Sequence, residues 1–350
     1  MREHEKYMKL ALRLAKKGYG TTKPNPMVGA VIVKDGKIIG KGFHKRKGLP
    51  HAEINAIKSA GDVRGAVMYV TLEPCCFYGA TPPCVDAIIK SGIKKVYIAM
   101  RDPNPKVNGN GIKILKENGV EVVEGILEKD AQELNRTYVK YMKEGLPYVF
   151  LKVACTLDGK IATLSGESKW ITDVASRKLV HKLRSFADAV IVGVNTVIKD
   201  DPLLTVRLVR GKNPKRIVLD TNLRIPRNAK VLGRDCIIAT TKDGKIDNCE
   251  ILHVPKDDMG RVDIGILLRK LGERGMQSVL VEGGTQVISS FLKERLVDEV
   301  LIFFAPKILG DGKPFVEGLG IDSLEEAFTL YEVKYKKIGE DFLIQGKVKY

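Results

Sequence analysis

The sequence predicts an α/β protein with two domains, and two observations carry this prediction. Short apolar segments alternate with amphipathic segments along the whole chain, which is the order of strands and covering helices. A break at residues 143–147 separates two such series, because Gly145 and Pro147 end a helix and a new strand follows. Since 350 residues also suit two domains of roughly 150 residues each, we place the domains at residues 1–145 and 146–350.

The first domain is predicted to begin with an amphipathic helix and to continue as alternating strands and helices. Asp35-Gly36 is typical of a type I′ hairpin turn, so antiparallel strands are expected on either side of it. Pro83 suits the first position of a helix, which would place Cys84 in the first helical turn. The predicted helices span 3–18, 52–59, 83–91, 109–117 and 131–142, and the predicted strands span 28–33, 37–43, 67–72, 96–100 and 121–123.

The second domain shows the same alternation and ends in two neighbouring strands. The stretch from 194 to 207 follows an apolar strand and is interpreted as a polar loop. The predicted helices span 174–186, 262–273 and 285–294. The predicted strands span 148–154, 188–193, 215–219, 236–240, 250–254, 278–281 and 297–305, with an antiparallel pair at 327–333 and 341–349.

Composition and cysteine usage indicate a cytoplasmic protein that does not enter a membrane. No stretch approaches the ~18 consecutive apolar residues of a transmembrane helix, and the charged N-terminus lacks the apolar core of a secretory signal. Cys75, Cys76 and Cys84 cluster, while the other three cysteines are scattered. This distribution does not suit a disulfide framework.

The net charge of +17 favours anionic ligands. Residues 1–146 hold 26 Lys and Arg against 15 Asp and Glu, and the remainder holds 33 against 27, so the excess is larger in the first domain. Nucleic acid and phosphorylated small molecules both fit such a field. A solvated, lysine-rich surface without a specific partner also remains open.

His51, Cys75 and Cys84 are predicted to bind a catalytic zinc ion. One imidazole and two thiolates provide three ligands and leave the fourth tetrahedral position open for water. Glu53, two residues after the histidine, is placed to move protons between that water and a leaving amine. This combination is the chemistry of zinc deaminases. Cys76 could complete a structural four-ligand site instead, but neighbouring residues rarely both face one ion.

Other motifs give weaker indications. Asn25 lies in a Pro-rich loop, and its amide offers the donor and acceptor that suit a pyrimidine edge, although the loop could be a simple turn. Gly283-Gly284-Thr285 follows an apolar strand and opens a helix, which exposes backbone N–H groups to a phosphate. No Rossmann or P-loop fingerprint is present.

Several polar or aromatic residues are interpreted as lacking a functional role on the residue pattern alone. Trp170 is expected to be a core or packing residue. Three residues on one predicted helix are expected to be solvated, namely Lys178, His181 and Arg184. Three histidines are expected to be surface or structural residues, namely His4, His44 and His253.

With both halves considered, the chain resembles the bifunctional deaminase/reductases of riboflavin biosynthesis over nearly its whole length. The nine-residue gap between Cys75 and Cys84 is typical of this family. The first half carries Pro24-Asn25-Pro26-x-Val28-Gly29, His51-Ala52-Glu53, Thr71-Leu72-Glu73-Pro74-Cys75 and Gly79-x-Thr81-Pro82-Pro83-Cys84. The second half carries Leu157-Asp158-Gly159-Lys160-Ile161-Ala162, Gly193-x-Asn195-Thr196, Asp200-Asp201-Pro202-x-Leu204-Thr205-x-Arg207 and Glu282-Gly283-Gly284.

The resemblance implies a cytidine-deaminase-like α/β/α domain followed by a dihydrofolate-reductase-like α/β domain. It implies zinc-dependent deamination of 2,5-diamino-6-ribosylamino-4(3H)-pyrimidinone 5′-phosphate. It then implies NADPH reduction of the ribosyl group to give 5-amino-6-ribitylamino-uracil 5′-phosphate. The implied partner is therefore a phosphorylated pyrimidine ribosylamine and not nucleic acid, and the family also suggests a homo-oligomer.

The resemblance also implies residue roles. The implied NADPH contacts are Ala154, Trp170, Thr196, Asp200, Thr221, Gly284, Thr285, Gln286, Val287, Ile288, Ser289 and Ser290. The implied substrate contacts of the reductase are Lys152, Ser168, Arg184, Leu204, Arg207 and Glu282, while Asn25 is the candidate on the deaminase side. The two arginines suit the substrate phosphate. Lys152 and Asp200 are the best polar candidates near the hydride step.

One stretch departs from the family pattern. The family usually has Ser-His-x-Gly followed by Arg or Lys after the first zinc cysteine, where this chain has Cys76-Phe77-Tyr78-Gly79-Ala80. The missing histidine and basic residue would help to hold the substrate phosphate. We expect one residue of the trio Lys45, Arg46 and Lys47 to compensate.

Two other classes of function remain as alternatives. A nucleic-acid or nucleoside deaminase with an accessory binding domain fits the charge and the zinc motif, but 6% aromatic residues offer little stacking surface. A zinc-stabilised binding module without catalysis would not need Glu53. Both are less favoured than the bifunctional enzyme.

Overall fold

The computed structural model describes residues 2–79 and 81–350. By its internal contacts, the chain divides into two compact units, Met1–Gly145 and Leu146–Tyr350. Each unit has its own cluster of buried apolar side chains. Among the described residues, no helix combines the length and the apolar character needed to cross a bilayer.

A five-stranded sheet lies at the centre of the first unit, as far as its residues are described. Its strands are β1 (Gly29–Lys34), β2 (Lys37–Phe43), β3 (Val67–Val70), β4 (Lys95–Ile98) and β5 (Glu121–Glu124). Their order across the sheet is β2-β1-β3-β4-β5. β1 is antiparallel to both of its neighbours, whereas β3, β4 and β5 are parallel.

Helices cover both faces of this sheet. They are α1 (Arg2–Ala15), α2 (Ala52–Ser59), α3 (Cys84–Lys90), α4 (Asn110–Glu117), α5 (Glu128–Leu134) and α6 (Arg136–Glu144). Gly29 of β1 packs against α1, and Gly42 of β2 packs against α2. Because Gly42 pairs with Ala30, the neighbour of Gly29, these two contacts lie on opposite faces of the sheet. The first unit is therefore an α/β/α sandwich, as predicted.

A nine-stranded sheet organises the described second unit. Its strands are β6 (Tyr148–Thr156), β8 (Ala189–Gly193), β9 (Lys215–Leu219), β10 (Cys236–Thr240), β11 (Glu250–His253), β12 (Ser278–Val281), β13 (Glu299–Ala305), β15 (Thr329–Ile338) and β16 (Asp341–Lys349). Their order is β11-β10-β9-β8-β12-β6-β13-β16-β15, parallel from β11 to β13 and antiparallel at the last two strands. The carboxyl ends of the parallel strands therefore share one edge, where α/β sheets place ligands.

Shorter elements complete the second unit. Strands β7 (Lys160–Thr163) and β14 (Gly312–Pro314) form a small antiparallel pair. The helices are α7 (Val174–Phe186), α8 (Val194–Asp200), α9 (Ile264–Glu273) and α10 (Thr285–Lys293). All five residues of β8 are buried, consistent with a central strand covered on both faces.

Three predicted elements need correction. The helix predicted at 131–142 is two helices, because Asn135 has non-helical backbone angles (φ −109°, ψ 22°) between them. Its buried side chain binds both the N–H and the C=O of Met27, so a tertiary contact holds the break. Pro83 is the residue before α3 rather than its first residue, since its ψ of 136° is not helical. Cys84 remains in the first turn.

The third correction is the loop predicted at 194–207, whose first half is helix α8. Its residues are largely β-branched or Asn, which are weak helix formers, so local propensity does not indicate a helix here. Val194 and Val197 are buried one turn apart, and packing of this apolar pair next to β8 stabilises the helix. Strands β7 and β14 were not predicted at all, because each is only three or four residues long.

Candidate active sites

Three elements of the first unit bring the predicted zinc ligands together. His51 is the residue before α2, Cys75 follows β3, and Cys84 is the first residue of α3. The Nδ1 atom of His51 lies 3.5 Å from the Sγ atom of Cys75 and 3.3 Å from that of Cys84. All three ligand atoms lie within 4.8 Å of one another. Nitrogen and sulfur ligands of a tetrahedral zinc lie roughly 3.6 Å apart, so the triangle fits the ion.

The thiols of this triangle have perturbed acidities. The hydrogen bond with Cys84 and the neighbouring His51 lower the pKa of Cys75 to about 5, against the effect of burial. The backbone N–H of Cys84 also donates to the Sγ of Cys75, at 3.3 Å. A thiolate at Cys75 raises the pKa of Cys84, so the two protons are coupled. Thiolates are the form that binds zinc.

Glu53 lies in the first turn of α2 and is almost fully buried. Burial, followed by the charge of Cys75, raises the pKa of its carboxyl group to about 7. The imidazole of His51 acts in the opposite direction and lowers this pKa, so the carboxyl group interacts electrostatically with two of the three candidate ligands. The candidate ligand His51 and the candidate proton carrier Glu53 thus lie two residues apart at the start of α2. The backbone of this helix start sets the distance between them.

His44 joins this site, although the sequence pattern assigned it no functional role. It is buried, and its ring centroid lies 5.2 Å from that of His51 in an edge-to-face arrangement. Its Nε2 atom lies 3.1 Å from the Nδ2 atom of Asn25, and its Nδ1 atom lies 3.4 Å from the carbonyl oxygen of Pro50. Burial lowers the pKa of His44, so the neutral ring is favoured. Asn25 is thus linked to the metal triangle through His44.

The loop between the two cysteines points Cys76 away from the triangle. Its Sγ atom contacts the carbonyl oxygen of Lys106 at 3.7 Å, and in the described residues it does not belong to the metal-ligand group. This favours an open, catalytic site over a closed four-ligand site. The ammonium group of Lys106 lies 5.9 Å from the ring centre of Phe77, and Tyr78 is largely exposed. Ala80 lies outside the described residues.

A buried ionic cluster marks the second unit. Glu282 follows β12, and its carboxylate accepts two hydrogen bonds from Arg184 of α7, at 2.6 and 2.9 Å. The ammonium group of Lys152 lies 3.7 Å from the same carboxylate. Burial alone would raise the pKa of Glu282, but the two cations outweigh it and lower that pKa to about 2. Burial lowers the pKa of Lys152.

Arg184 and His181 were interpreted as solvated residues on the residue pattern, and this was wrong for both. Both are largely buried on the face of α7 that meets the 204–208 segment. The Nδ1 atom of His181 accepts the backbone N–H of Arg207 at 2.8 Å, and Arg184 donates to the carbonyl oxygen of Thr205 at 3.3 Å. A single sequence shows which residues share a helical face, but not what covers that face. Lys178 is exposed, as expected.

A cavity of about 920 Å³ opens at the carboxyl edge of the large sheet. It is lined by many of the residues predicted to contact NADPH, namely Thr196, Asp200, Thr221, Gly284, Thr285, Gln286, Val287 and Ser290, and by Ser168. Ala154, Trp170, Ile288 and Ser289 do not line it, and neither do Lys152, Arg184, Leu204, Arg207 or Glu282. The ionic cluster therefore lies outside the lining of the cavity, although Glu282 is only two residues from the lining residue Gly284.

Trp170 is not a core residue. Its side chain is 62% exposed, and the guanidinium carbon of Arg177 lies 4.2 Å from its ring centre. The expectation of a core position is therefore wrong for this residue, and its packing is limited to a surface contact with Arg177.

The cavity also contains polar residues that the sequence prediction missed. Arg224 donates to the side-chain oxygen of Asn195 at 2.9 Å, and both line the cavity with Lys199 and Lys313. Asn195 belongs to the family motif Gly193-x-Asn195-Thr196, and this motif is its sequence signal. The two lysines occur in segments whose sequence carries no such signal.

Comparison with known proteins assigns a class to each unit. The family model described as "RibD C-terminal domain" matches residues 147–344. The model described as "Cytidine and deoxycytidylate deaminase zinc-binding region" matches residues 1–100. The fold and the two sites therefore define a bifunctional enzyme, with a zinc-dependent deaminase domain and an NADPH-dependent reductase domain.

Similarity to individual proteins extends over the whole chain. The riboflavin biosynthesis protein RibD of Aquifex aeolicus (strain VF5) is 49% identical, with 98% of each chain covered. That of Escherichia coli (strain K12) is 39% identical, over 97% of this chain and 98% of that protein. Acinetobacter baumannii RibD (form 1) superposes with a TM-score of 0.91 at 39% identity, covering 100% of this chain and 99% of that chain.

A second solved structure is also similar to this chain over nearly its whole length. A Thermotoga maritima diaminohydroxyphosphoribosylaminopyrimidine deaminase/5-amino-6-(5-phosphoribosylamino)uracil reductase superposes with a TM-score of 0.89 at 42% identity, covering 99% of both chains. The chain belongs to the RibD family of riboflavin biosynthesis proteins. The predicted bifunctional activity, its place in riboflavin biosynthesis, and the two cofactors are confirmed, and a nucleic-acid deaminase is not favoured.

Proposed function

We propose that the first unit deaminates 2,5-diamino-6-ribosylamino-4(3H)-pyrimidinone 5′-phosphate. We propose further that the second unit reduces the ribosyl group of the product to give 5-amino-6-ribitylamino-uracil 5′-phosphate. The observation that carries the proposal is the triangle of His51, Cys75 and Cys84 with buried Glu53 beside it. The name of the Thermotoga maritima relative supports the choice of substrates.

In this proposal His51, Cys75 and Cys84 hold the zinc ion. Bound there, the ion supplies Lewis acidity and an activated water for hydrolysis. The imidazole binds through Nδ1, and its Nε2 atom lies 3.4 Å from the hydroxyl of Thr81, which helps to orient the ring. Cys84 stands at the positive end of the α3 dipole, which favours its thiolate. Asn25, held by His44, offers its amide to the pyrimidine edge.

Glu53 is the proposed proton carrier of the deaminase. Its carboxylate takes a proton from the attacking water and delivers it to the exocyclic amine, so that neutral ammonia leaves instead of an amide ion. The position of Glu53 in the first turn of α2 supports this role, because the candidate ligand His51 directly precedes the same helix.

The test is Glu53→Gln in the full-length enzyme. Ammonia release from the diaminopyrimidine phosphate should fall by at least about 10³-fold, since amide cannot carry the proton. NADPH oxidation with pre-deaminated substrate, followed at 340 nm, should be unchanged. Zinc content by metal analysis serves as the control that the ligand triangle is intact. Retained ammonia release would contradict the proposed role of Glu53.

The second unit is proposed to bind NADPH in the 920 Å³ cavity. NADPH supplies the hydride when bound, so the protein mainly needs to orient it. The proposed contacts in the cavity are Ser168 for substrate, and Thr196, Asp200, Thr221, Gly284, Thr285, Gln286, Val287 and Ser290 for cofactor. Ala154, Trp170, Ile288 and Ser289 complete the proposed set from outside its lining.

The ionic cluster is proposed to receive the phosphorylated substrate. Arg184 is held by two hydrogen bonds to Glu282, so its guanidinium position is set in advance. Arg207, with Leu204 nearby, presents a second guanidinium group to the substrate phosphate. Lys152 and Asp200 remain the candidates for a polar role near the hydride step. Ser168 donates to Asp200 at 3.2 Å, which links the substrate and cofactor contacts.

The deaminase must hold its substrate phosphate without the usual histidine and basic residue. We propose that the trio Lys45, Arg46 and Lys47 compensates, because it directly follows His44 of the site. Replacing all three by Gln should raise the deaminase KM about tenfold or more and leave the KM of the reductase unchanged. An unchanged deaminase KM would contradict this assignment.

Two further proposals concern the state of the protein in the cell. The six cysteines are free thiols, which supports a reducing, cytoplasmic location. Family resemblance supports a homo-oligomer, and light scattering of the purified full-length protein would measure its mass. The positive charge is proposed to serve the phosphorylated ligands and not nucleic acid.

A further inference from the structure

Two lysines from distant segments converge on one point of the reductase cavity. Lys199 lies near the end of α8, and Lys313 lies in the short strand β14. Their ammonium nitrogens lie 3.9 and 3.7 Å from the position that a side-chain Cβ would occupy at Gly166. Gly166 has no side chain, so the space between the two ammonium groups stays open toward the cavity, which all three residues line.

The charges of this pair are not compensated by the protein. Within the described parts of the chain, neither lysine forms an ion pair with a carboxylate. The nearby carboxylate of Asp200 accepts a hydrogen bond from Ser168 instead. The proximity of Lys199 lowers the pKa of Lys313, which is the sign of repulsion between two cations. Two neighbouring cations without a protein counter-charge form a position that favours a bound anion.

The position of the pair within the cavity narrows the choice of anion. Pro314, next to Lys313, accepts a hydrogen bond from the hydroxyl of Thr285 at 2.5 Å, so β14 is attached to the start of α10. A Cβ at Gly284 would lie 3.8 Å from the hydroxyl of Thr196 in α8, so α8 adjoins the start of α10. The lysines thus flank the gap between these helices. The arginines proposed for the substrate phosphate do not line this cavity.

We propose that Lys199 and Lys313 form a two-point clamp for the diphosphate of NADPH. The proposal rests on the proposed function, in that NADPH must occupy this cavity. Two ammonium groups match the two negative charges of a diphosphate, and each contact is a charge-assisted hydrogen bond. Gly166 is part of the clamp, because a side chain there would stand between the ammonium groups.

The test compares Lys199→Gln, Lys313→Gln and the double variant in the full-length enzyme. The Kd for NADPH and the Kd for NADH should each rise about tenfold per substitution, because both cofactors carry the same diphosphate. The salt dependence of the Kd should weaken in parallel. Lys178→Gln is the matched control, since Lys178 is exposed and lies outside the cavity; its Kd should equal that of the wild type.

Three outcomes would overturn the clamp. Loss of NADPH affinity alone would assign the lysines to the 2′-phosphate. A higher KM for the phosphorylated pyrimidine with unchanged cofactor Kd would assign them to the substrate phosphate. No change at all would leave them without a ligand. The thermal midpoint of the free enzyme should stay equal or rise in the variants, since a repulsion is removed, and a fall would indicate a structural role instead.

A separate variant distinguishes failure of the clamp from failure of the proposed function. Gly284→Val adds bulk at the start of α10, inside the proposed cofactor site. If Gly284→Val weakens NADPH binding and the lysine variants do not, only the clamp fails. If none of them affects the Kd, NADPH binds elsewhere and the assignment of the cavity itself fails.

Discussion

His181 shows how one buried ring positions a segment of the reductase. Its Nδ1 atom accepts the backbone N–H groups of Arg207 and Leu208, at 2.8 and 3.3 Å. Only the neutral ring can accept at this atom. Burial, then the charges of Arg184 and Arg207, lowers the pKa of His181 from 6.5 to about 4. The segment that carries Arg207 therefore depends on an uncharged histidine.

This pKa predicts the pH dependence of stability in the second unit. Between pH 6.5 and 4 the unfolded chain binds a proton at His181 and the folded chain does not, so acidification favours unfolding. The contribution of neutral His181 to the free energy of unfolding is complete above pH 6.5 and is lost as the pH falls toward 4. Trp170, the only tryptophan, lies in this unit, so its fluorescence in urea measures the free energy of unfolding.

The comparison uses two histidine variants. His181→Asn keeps an acceptor that does not titrate, so its stability should fall less than that of the wild type between pH 6.5 and 4.5. His253→Asn is the control, because His253 is exposed, and it should follow the wild type. If the free energy of unfolding falls equally with pH in the wild type and in His181→Asn, then His181 does not contribute to the pH dependence of stability.

Helix α2 shows how a structural element positions the chemistry of the deaminase. It carries Glu53 and begins after His51, and it packs on β2 where Gly40 and Gly42 have no side chains. A Cβ at Gly42 would lie 2.2 Å from the carbonyl oxygen of Ala52, far inside van der Waals contact. The close approach of helix and strand therefore requires glycine, and it sets the position of the candidate ligand His51 relative to the sheet.

Gly42→Ala should therefore affect both stability and zinc binding. Overpacking of this kind costs about 1–3 kcal/mol, and displacement of α2 should lower the zinc content of the purified protein. Gly61→Ala is the matched control, because its Cβ would meet nothing within 4 Å and its backbone is not strained. Normal zinc content in Gly42→Ala, measured by metal analysis, would mean that α2 can move without disturbing the ligands.

At the scale of the whole molecule, the two chemistries belong to separate units. The metal triangle lies in Met1–Gly145, and the cavity and ionic cluster lie in Leu146–Tyr350. The buried apolar clusters of the two units share no residue. Each unit therefore has the core that independent folding requires.

The separate cores predict that the second unit folds and binds its cofactor without the first unit. A fragment of residues 146–350 should fold and bind NADPH with a Kd within about threefold of the full-length value, because the proposed cofactor contacts lie inside it. Titration followed by the fluorescence of Trp170 measures this Kd. The full-length Glu53→Gln enzyme is the control for intact cofactor binding. A fragment that folds without binding NADPH would require cofactor contacts from residues 1–145.

Most of the element order could be predicted from the sequence, and so could the meeting of His51, Cys75 and Cys84 in one group that could hold a metal ion. Alternation of apolar and amphipathic segments is a local property, and so is the hairpin signal at Asp35-Gly36. His51, Glu53, Cys75 and Cys84 were recognisable because zinc chemistry restricts both residue type and spacing. The Gly-Pro break at residues 143–147 is similarly local, and the structure divides at Gly145.

Contacts between residues far apart in the chain could not be predicted from the sequence and became visible only in the tertiary structure. The break at Asn135 depends on Met27, and the burial of His181 and Arg184 depends on the 204–208 segment and on Glu282. Helix α8 forms from weak helix formers because packing outweighs local propensity. The meeting of Lys199 and Lys313 depends on where β14 returns to the sheet edge. Such contacts have no periodicity in sequence, because only the folded chain brings these groups within bonding distance.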